Sequence, residues 1–171
     1  MFSYHSDLVD THPFASPWYE WPVIFKPIWY FVDNSLAAEG LTSTIAAFGN
    51  PFIWWTGLIA IFATIAISIK RREHTVMMIY IGYLSQYVPW MLVTRITFIY
   101  HYFAMVPFMI LSIVYIFRHL EMTYNWSAKI RYTYTLLAIL LFIMFYPVLS
   151  GAFVSREYVD HWLRWFPTWY F

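Results

Sequence analysis

The sequence predicts an all-α integral membrane protein built as a four-helix transmembrane bundle with interfacial segments. Of the 171 residues, 61% are hydrophobic, 24% are aromatic and only 11% are charged. A soluble domain carries about 25% charged residues because its surface must stay hydrated. The net charge of +1 argues against a nucleic-acid-binding protein with a basic face. The absence of cysteine excludes disulfides, thiol catalysis and cysteine-ligated metals.

Residues 1–50 predict an extracytoplasmic aromatic loop. The run at residues 21–32, WPVIFKPIWYFV, is apolar but too short to cross a bilayer, so we expect an interfacial segment at headgroup level. The Trp and Tyr side chains of residues 1–50 and of the C-terminal stretch suit an aromatic belt, which composition favours, or a platform for a sugar or lipid headgroup.

The four transmembrane helices are predicted from long apolar stretches with charged residues between them. A span needs about 20 predominantly apolar residues. The stretches that qualify are residues 51–69, 76–93, 96–117 and 132–154. Because the connections between them are short, they should form a compact antiparallel bundle.

The distribution of basic residues predicts the orientation. The loops after the first and third spans hold six of the ten Lys and Arg residues: Lys70, Arg71, Arg72, Arg118, Lys129 and Arg131. By the positive-inside rule these two loops are cytoplasmic and both termini are extracytoplasmic. Residues 155–171 then form an extracytoplasmic interfacial tail, with Trp162, Trp165 and Trp169 as interface anchors.

This orientation requires residues 1–50 to cross the membrane. The first ten residues have no basic region and no apolar core, so they do not resemble a signal peptide. A reverse anchor with its positive flank at residues 70–72 could translocate them. An upstream span would explain the translocation more simply, and we therefore expect the chain to be part of a longer protein.

Arg95 and His101 are the candidate residues within the bundle region. Arg95 is the only charge between the second and third spans, where a guanidinium can bind a phosphate with two parallel hydrogen bonds. It could instead be an arginine that only anchors the helix end. His101 near the start of the third span is either functional or a helix-to-helix hydrogen-bonding residue.

The N-terminal segment holds further polar candidates: His5, Asp7, Asp10, His12 and Glu20. Their spacing matches no metal-binding motif, so no metal site is expected. Glu20 lies between Trp18 and Trp21, where its carboxylate could bind sugar hydroxyls or cap a turn.

Three stretches resemble a known family. THPFASPWYEWP at residues 11–22, GNPFIWW at residues 49–55 and PWMLVTRITFIYHYF at residues 89–103 occur in this order. They resemble the C-terminal four-span region of protein O-mannosyltransferases, the dolichyl- or polyprenyl-phosphate-mannose-dependent enzymes, and the bacterial members most. The resemblance covers essentially the whole chain. One departure is Thr94, where the family usually has proline before its arginine.

The resemblance implies the C-terminal part of a GT-C type fold in a glycosyltransferase. The expected reaction is transfer of mannose from a polyprenyl-phosphate-mannose donor to Ser or Thr of exported proteins, at the bacterial plasma membrane and without a covalently bound cofactor. The family's catalytic acid belongs to an upstream Asp-Glu pair. This chain has no adjacent acidic pair, so no catalytic residue is assigned to it and the isolated chain is expected to be inactive.

The resemblance also suggests site roles and partners. Arg95 and His101 are expected to bind the donor phosphate, and an outer cavity is expected to be lined by His12, Trp18, Glu20 and Trp21. The expected partners are the polyprenyl-phosphate sugar lipid, the membrane, an acceptor protein during translocation, and the N-terminal part of the same enzyme.

Two other functions remain open. The chain could be a non-catalytic membrane subunit or remnant that binds polyprenyl lipid or stabilises a partner mannosyltransferase. It could also be a small transporter or lipid flippase, although its spans lack the mid-depth charges that such pathways use.

Overall fold

The computed structural model describes residues 12–124 and 127–171, which fall into two compact units. We call them the helix unit and the sheet unit. The helix unit contains Asn50–Val93 and Tyr102–Ile139. The sheet unit contains the residues up to Gly49 together with Thr94–His101 and Leu140–Phe171.

Four main helices dominate the described residues. They are α1 (Pro51–Arg71), α2 (His74–Tyr87), α3 (Val106–Thr123) and α4 (Ser127–Ser150). Among the described residues, three helical segments are long and apolar enough to cross a membrane: Pro51–Arg71, Ile99–Thr123 and Ala128–Ser150. The predicted class, a helical membrane protein, is confirmed.

Helix α1 has clear sequence signals at both ends. The Asn50 side chain accepts hydrogen bonds from the backbone N–H groups of Phe52 (3.0 Å) and Ile53 (3.3 Å), and Pro51 occupies the first helical turn. At the other end Arg72 adopts a left-handed conformation with φ of 55°. The 21 residues between these caps extend about 31 Å, enough to cross the hydrocarbon core.

The second predicted span is the one whose α-helix is short. Helix α2 has 14 residues and continues as a 3₁₀ helix over Val88–Leu92. Proline lacks the N–H that the next α-helical hydrogen bond requires, so Pro89 explains why the α-helix ends at Tyr87. The 3₁₀ continuation still follows the predicted span nearly to its end at residue 93.

The helix unit packs closely because α1 carries a glycine against α3. A Cβ atom at Gly57 would lie 2.7 Å from the Cβ of Met109, so no larger residue fits without a shift of the helices. Nearby, Trp54 and Tyr102 are buried with their ring centroids 5.0 Å apart. The Tyr102 hydroxyl is hydrogen-bonded to the Tyr83 hydroxyl at 2.6 Å. This aromatic core is contributed by three segments of the unit.

The sheet unit contains a small antiparallel sheet that the sequence analysis did not predict. Its strands are β1 (Ile28–Asp33), β2 (Leu41–Ala47) and β3 (Val154–Ser155), in the order β1-β2-β3. The register shifts between Trp29 and Phe31, which indicates a bulge in β1. Within the segment predicted to be interfacial, residues 21–32, the five residues 28–32 therefore form strand.

The core of the sheet unit is aromatic and includes the chain's last residues. Trp169 is fully buried, and its indole N–H donates to the Ile24 carbonyl at 2.7 Å. Its ring contacts Phe48 and Phe145 at centroid distances of 5.3 Å and 6.0 Å. The prediction that Trp169 is an interface anchor is therefore wrong, because protein rather than headgroups surrounds it. By contrast, Trp162 is 63% exposed, which suits the predicted role.

Candidate functional site

The site begins with two segments of the sheet unit that are distant in sequence and joined by backbone pairing. The Ser16 N–H donates to the Thr97 carbonyl at 2.9 Å, and the Thr97 hydroxyl donates to the Ser16 carbonyl at 2.8 Å. Both residues are buried. Residues 12–21 are thereby held against the segment Thr94–His101, which contains both candidate residues of the bundle region.

Trp21 completes this connection. It lies in the 3₁₀ helix Trp18–Val23 and is fully buried. Its indole N–H contacts the carbonyl and the hydroxyl of Ser16 at 3.0 Å and 3.1 Å. The indole ring is stacked on the His101 ring, with centroids 5.8 Å apart and an interplanar angle of 18°. Two predicted site residues, Trp21 and His101, are thus in direct contact.

His101 has a defined ring orientation. Its Nδ1 lies 2.8 Å from the Phe98 carbonyl oxygen, and the Tyr100 ring is stacked on it at 4.3 Å. The Phe98 N–H also donates to this Nδ1 at 3.2 Å, so both backbone groups of Phe98 face the same ring nitrogen. The imidazole is therefore held between the Trp21 and Tyr100 rings with Nδ1 turned toward the Phe98 backbone.

Arg95 lies on a bend six residues before His101 and is exposed. The positive charge of Arg95 acts electrostatically on the His101 ring. The predicted pair therefore consists of an exposed cation and an oriented imidazole on one segment of the sheet unit. Such an arrangement can bind a phosphate, since guanidinium groups form charge-assisted bidentate hydrogen bonds to phosphate oxygens.

His12 and Trp18 lie near opposite ends of the segment at residues 12–21. His12 is exposed and meets the Phe98 ring edge-on at 5.1 Å. Trp18 is half-buried and packs edge-on against Tyr19 at 5.6 Å. His12 therefore contacts the Arg95–His101 segment, whereas the Trp18 ring contact is local to its own 3₁₀ helix.

Glu20 is in an unusual environment for a carboxylate. Its Oε2 atom is buried and has no hydrogen-bond partner within residues 12–124 and 127–171. Burial raises the pKa of this carboxyl, and the positive charge of Lys26 opposes the shift. The carboxyl group is thus easier to protonate than an exposed one.

We predict that Glu20→Gln stabilises the protein at neutral pH. A carboxyl whose folded-state pKa is raised disfavours folding once it ionises, so the native protein loses stability as pH rises through that pKa. The variant should melt at a higher temperature than the native protein near pH 7. This difference in melting temperature should vanish when the pH falls below 4.5, the ordinary pKa of a glutamate carboxyl. Glu39→Gln, at an exposed position, controls for the loss of a charge. A difference independent of pH would contradict the prediction.

No group of three His, Cys, Asp or Glu residues able to hold a metal occurs in the described part of the chain. The N-terminal candidates His5, Asp7 and Asp10 lie outside the described residues.

Ser16 and Thr97 are the site residues that sequence reasoning missed. Their role is to join the two segments through main-chain and hydroxyl hydrogen bonds. Small hydroxyl residues occur throughout the chain, and neither carries charge or unusual spacing. The signal that could have found them is indirect: each belongs to one of the long aromatic motifs at residues 11–22 and 89–103.

The sequence is similar to a known protein family and to several of its members. A sequence model described as the C-terminal four-transmembrane region of protein O-mannosyltransferase matches residues 1–169. A polyprenol-phosphate-mannose–protein mannosyltransferase of Mycolicibacterium smegmatis is 23% identical over 184 residues, which cover 98% of this chain and 36% of the relative. The protein of that name from Corynebacterium glutamicum is 27% identical, with 99% and 35% covered. The chain thus spans about a third of the length of these relatives.

A solved structure shows the same fold. The S. cerevisiae protein O-mannosyltransferase Pmt1-Pmt2 complex bound to the sugar donor matches with a TM-score of 0.83 and 20% identity, over 99% of this chain and 25% of that chain. This supports the predicted C-terminal part of a GT-C type fold. With the family model matching nearly every residue, the chain belongs to the protein O-mannosyltransferase family, as its C-terminal four-transmembrane region.

Proposed function

We propose that this chain is the C-terminal membrane region of a glycosyltransferase that transfers mannose from a polyprenyl-phosphate donor to Ser or Thr of exported proteins. The observation that carries the proposal is the presence of the exposed Arg95 and the oriented His101 on one segment, which Ser16 and Trp21 fix. A sugar-phosphate donor needs such a cation, because negative charge accumulates on the phosphate as the sugar leaves.

The two residues have different parts in this mechanism. Arg95 binds the donor phosphate and stabilises the charge that develops on it during transfer. His101, oriented by the Phe98 carbonyl, donates or accepts one further hydrogen bond at the same phosphate. Deprotonation of the acceptor hydroxyl requires a base. No residue of this chain is assigned that role, which we place in the N-terminal part of the same enzyme.

The segment at residues 12–21 forms one wall of the outer cavity in this proposal. His12 and Trp21 contact the Arg95–His101 segment, and Glu20 presents a buried carboxyl oxygen. Aromatic faces with a carboxyl nearby suit a sugar, whose hydroxyl groups need hydrogen-bond partners. With Trp18, these residues would contact the mannose or the acceptor hydroxyl.

The proposed location follows from the same argument. The protein lies in the bacterial plasma membrane with both termini extracytoplasmic, since the basic loops favour the cytoplasm. Its partners are the polyprenyl-phosphate sugar lipid and an acceptor protein during translocation.

A direct transfer assay tests this function. The gene product containing this chain would be expressed in a host that lacks protein O-mannosylation. Membranes prepared from these cells would then be incubated with radiolabelled polyprenyl-phosphate-mannose and a Ser/Thr-containing peptide. We expect labelled peptide from which β-elimination releases mannose. No label above the untransformed host would contradict the proposal.

A non-catalytic subunit is the second candidate function. It would keep the candidate phosphate-binding residues Arg95 and His101 without a transfer reaction of its own. The same assay distinguishes the two functions, because a subunit would yield label only when a partner mannosyltransferase is co-expressed.

A further inference from the structure

The helix unit contains a groove whose lining includes neither Arg95 nor His101. This groove of about 520 Å³ lies along α3, with walls from α1 and α4. Its apolar lining consists of Ile53, Ile110, Ile113, Val114 and Phe117. The volume is within the range of about 300–1,000 Å³ typical of ligand sites. Because the side chains of Ile110 and Val114 are 43% and 56% exposed, the groove opens toward the surroundings of the unit.

The groove exists because α4 is attached to α1 through a few polar contacts. The Tyr134 hydroxyl is hydrogen-bonded to the Thr56 hydroxyl at 2.8 Å, and the Asn50 side-chain amide donates to the Ala138 carbonyl at 2.9 Å. The Tyr134 ring also packs against Phe117, with centroids 5.1 Å apart. These contacts hold α4 in place while the space beside Tyr134 stays unfilled by protein within the unit.

One end of the groove is charged. Arg118, Glu121 and Arg131 line it there, and the Arg131 Nε–H donates to the Glu121 carboxylate at 2.6 Å. Two guanidinium groups and one carboxylate leave one net positive charge. Arg118 is exposed. Arg118 and Arg131 are the first and last residues of the basic loop at residues 118–131, and Glu121 lies within it. In a bilayer, such residues lie at headgroup depth.

We propose that this groove binds an anionic phospholipid of the surrounding leaflet. One acyl chain occupies the apolar part beside Val114, and the phosphate is bound by Arg118 with support from Arg131. The single net positive charge complements a lipid with one net negative charge, such as phosphatidylglycerol. A zwitterionic lipid would leave that charge uncompensated. This lipid is structural, and its site is separate from the one proposed for the sugar donor.

Photocrosslinking identifies the occupant. A photoreactive amino acid at Val114, in the full-length protein within native membranes, should form adducts with the mass of a phospholipid. Leu111, which is on α3 and 50% exposed but does not line the groove, is the matched control and should give at least about tenfold fewer adducts with anionic lipid. Crosslinks from Val114 mainly to another protein segment, or to a second copy of the chain, would overturn the proposal.

Substitution of the charged end tests lipid selectivity. Native mass spectrometry of the purified protein in phosphatidylglycerol and phosphatidylcholine mixtures should show preferential retention of phosphatidylglycerol. Arg118→Gln should reduce that retention about tenfold, as expected for the loss of one charge-assisted contact. Arg72→Gln, an exposed arginine outside the groove, should leave it unchanged.

Two further outcomes decide against the proposal. Equal retention by Arg118→Gln and Arg72→Gln would mean that the charged end binds no headgroup. Displacement of phosphatidylglycerol by equimolar polyprenyl phosphate would mean that the groove belongs to the donor lipid. Should Arg118→Gln fail to fold, Val114→Trp, which fills the apolar part, should also abolish retention, and its failure to do so would overturn the proposal.

Discussion

Arg95→Gln is expected to lower mannose transfer by about 100-fold or more, the typical effect of removing one group that stabilises developing negative charge. The exposed guanidinium is the positive charge on the segment that Ser16 and Trp21 hold in place, so glutamine leaves the donor phosphate without its cation. Both the KM for the donor and kcat should change, because the phosphate is negative before transfer and becomes more so during it. Initial rates at varied donor concentration in membranes measure the two separately.

Two further variants distinguish the role of the charge from that of the bidentate geometry and control for the loss of an arginine. Arg95→Lys keeps the charge but not the bidentate geometry, and should retain an intermediate activity. Arg156→Gln removes an exposed arginine from the sheet unit and should leave transfer unchanged. Activity of Arg95→Gln within twofold of the native enzyme would show that this arginine only anchors the helix end.

The helical membrane class could be predicted because it depends on composition and on residues close in sequence. Long apolar stretches form helices in lipid, since each helix satisfies its own backbone hydrogen bonds. In the second predicted span, hydropathy alone does not predict where the α-helix ends. Hydropathy extends through residue 93, yet Pro89 ends the α-helix at Tyr87. The position of this proline in the sequence is therefore enough to explain why the α-helix is shorter than the predicted span.

The sheet could not be predicted because strand pairing joins residues that are far apart. Strand β1 is rich in aromatic residues and reads equally well as an interfacial segment. Its partner β2, LTSTIAA, is built mainly of small residues without a clear alternation of apolar and polar positions. What determines these strands is their mutual register, which no local pattern reports.

The candidate site also has features that could be predicted from nearby residues and features that depend on residues distant in sequence. Arg95 and His101 were predicted as a pair because they are six residues apart on one segment. Their connection to Trp21 was not predicted, because it depends on hydrogen bonds between Ser16 and Thr97. Charge and aromatic content therefore identified the candidate groups, whereas the small hydroxyl residues Ser16 and Thr97 join the segments that carry them.

Trp21→Ala is expected to destabilise the protein by about 3–5 kcal/mol, the usual cost of truncating a buried Trp. The substitution leaves a cavity where a fully buried ring is stacked on His101, and it removes the indole N–H that contacts Ser16. Because the same contacts hold residues 12–21 against the Arg95 segment, transfer activity should fall even at temperatures where the variant stays folded. Denaturation of the full-length protein in detergent measures the first effect, and the transfer assay measures the second.

Trp21→Phe separates the two contributions of the indole. Phenylalanine retains a ring beside His101 but has no N–H, while the Thr97 hydroxyl still donates to the Ser16 carbonyl. The expected loss is therefore about 1 kcal/mol, as for one hydrogen bond, with most activity retained. Trp162→Ala, at a residue 63% exposed, controls for the loss of a tryptophan and should change neither stability nor transfer. If Trp21→Ala behaved like Trp162→Ala, the packing of residues 12–21 would have no role in forming the site, and Arg95 would have to be positioned by its own segment alone.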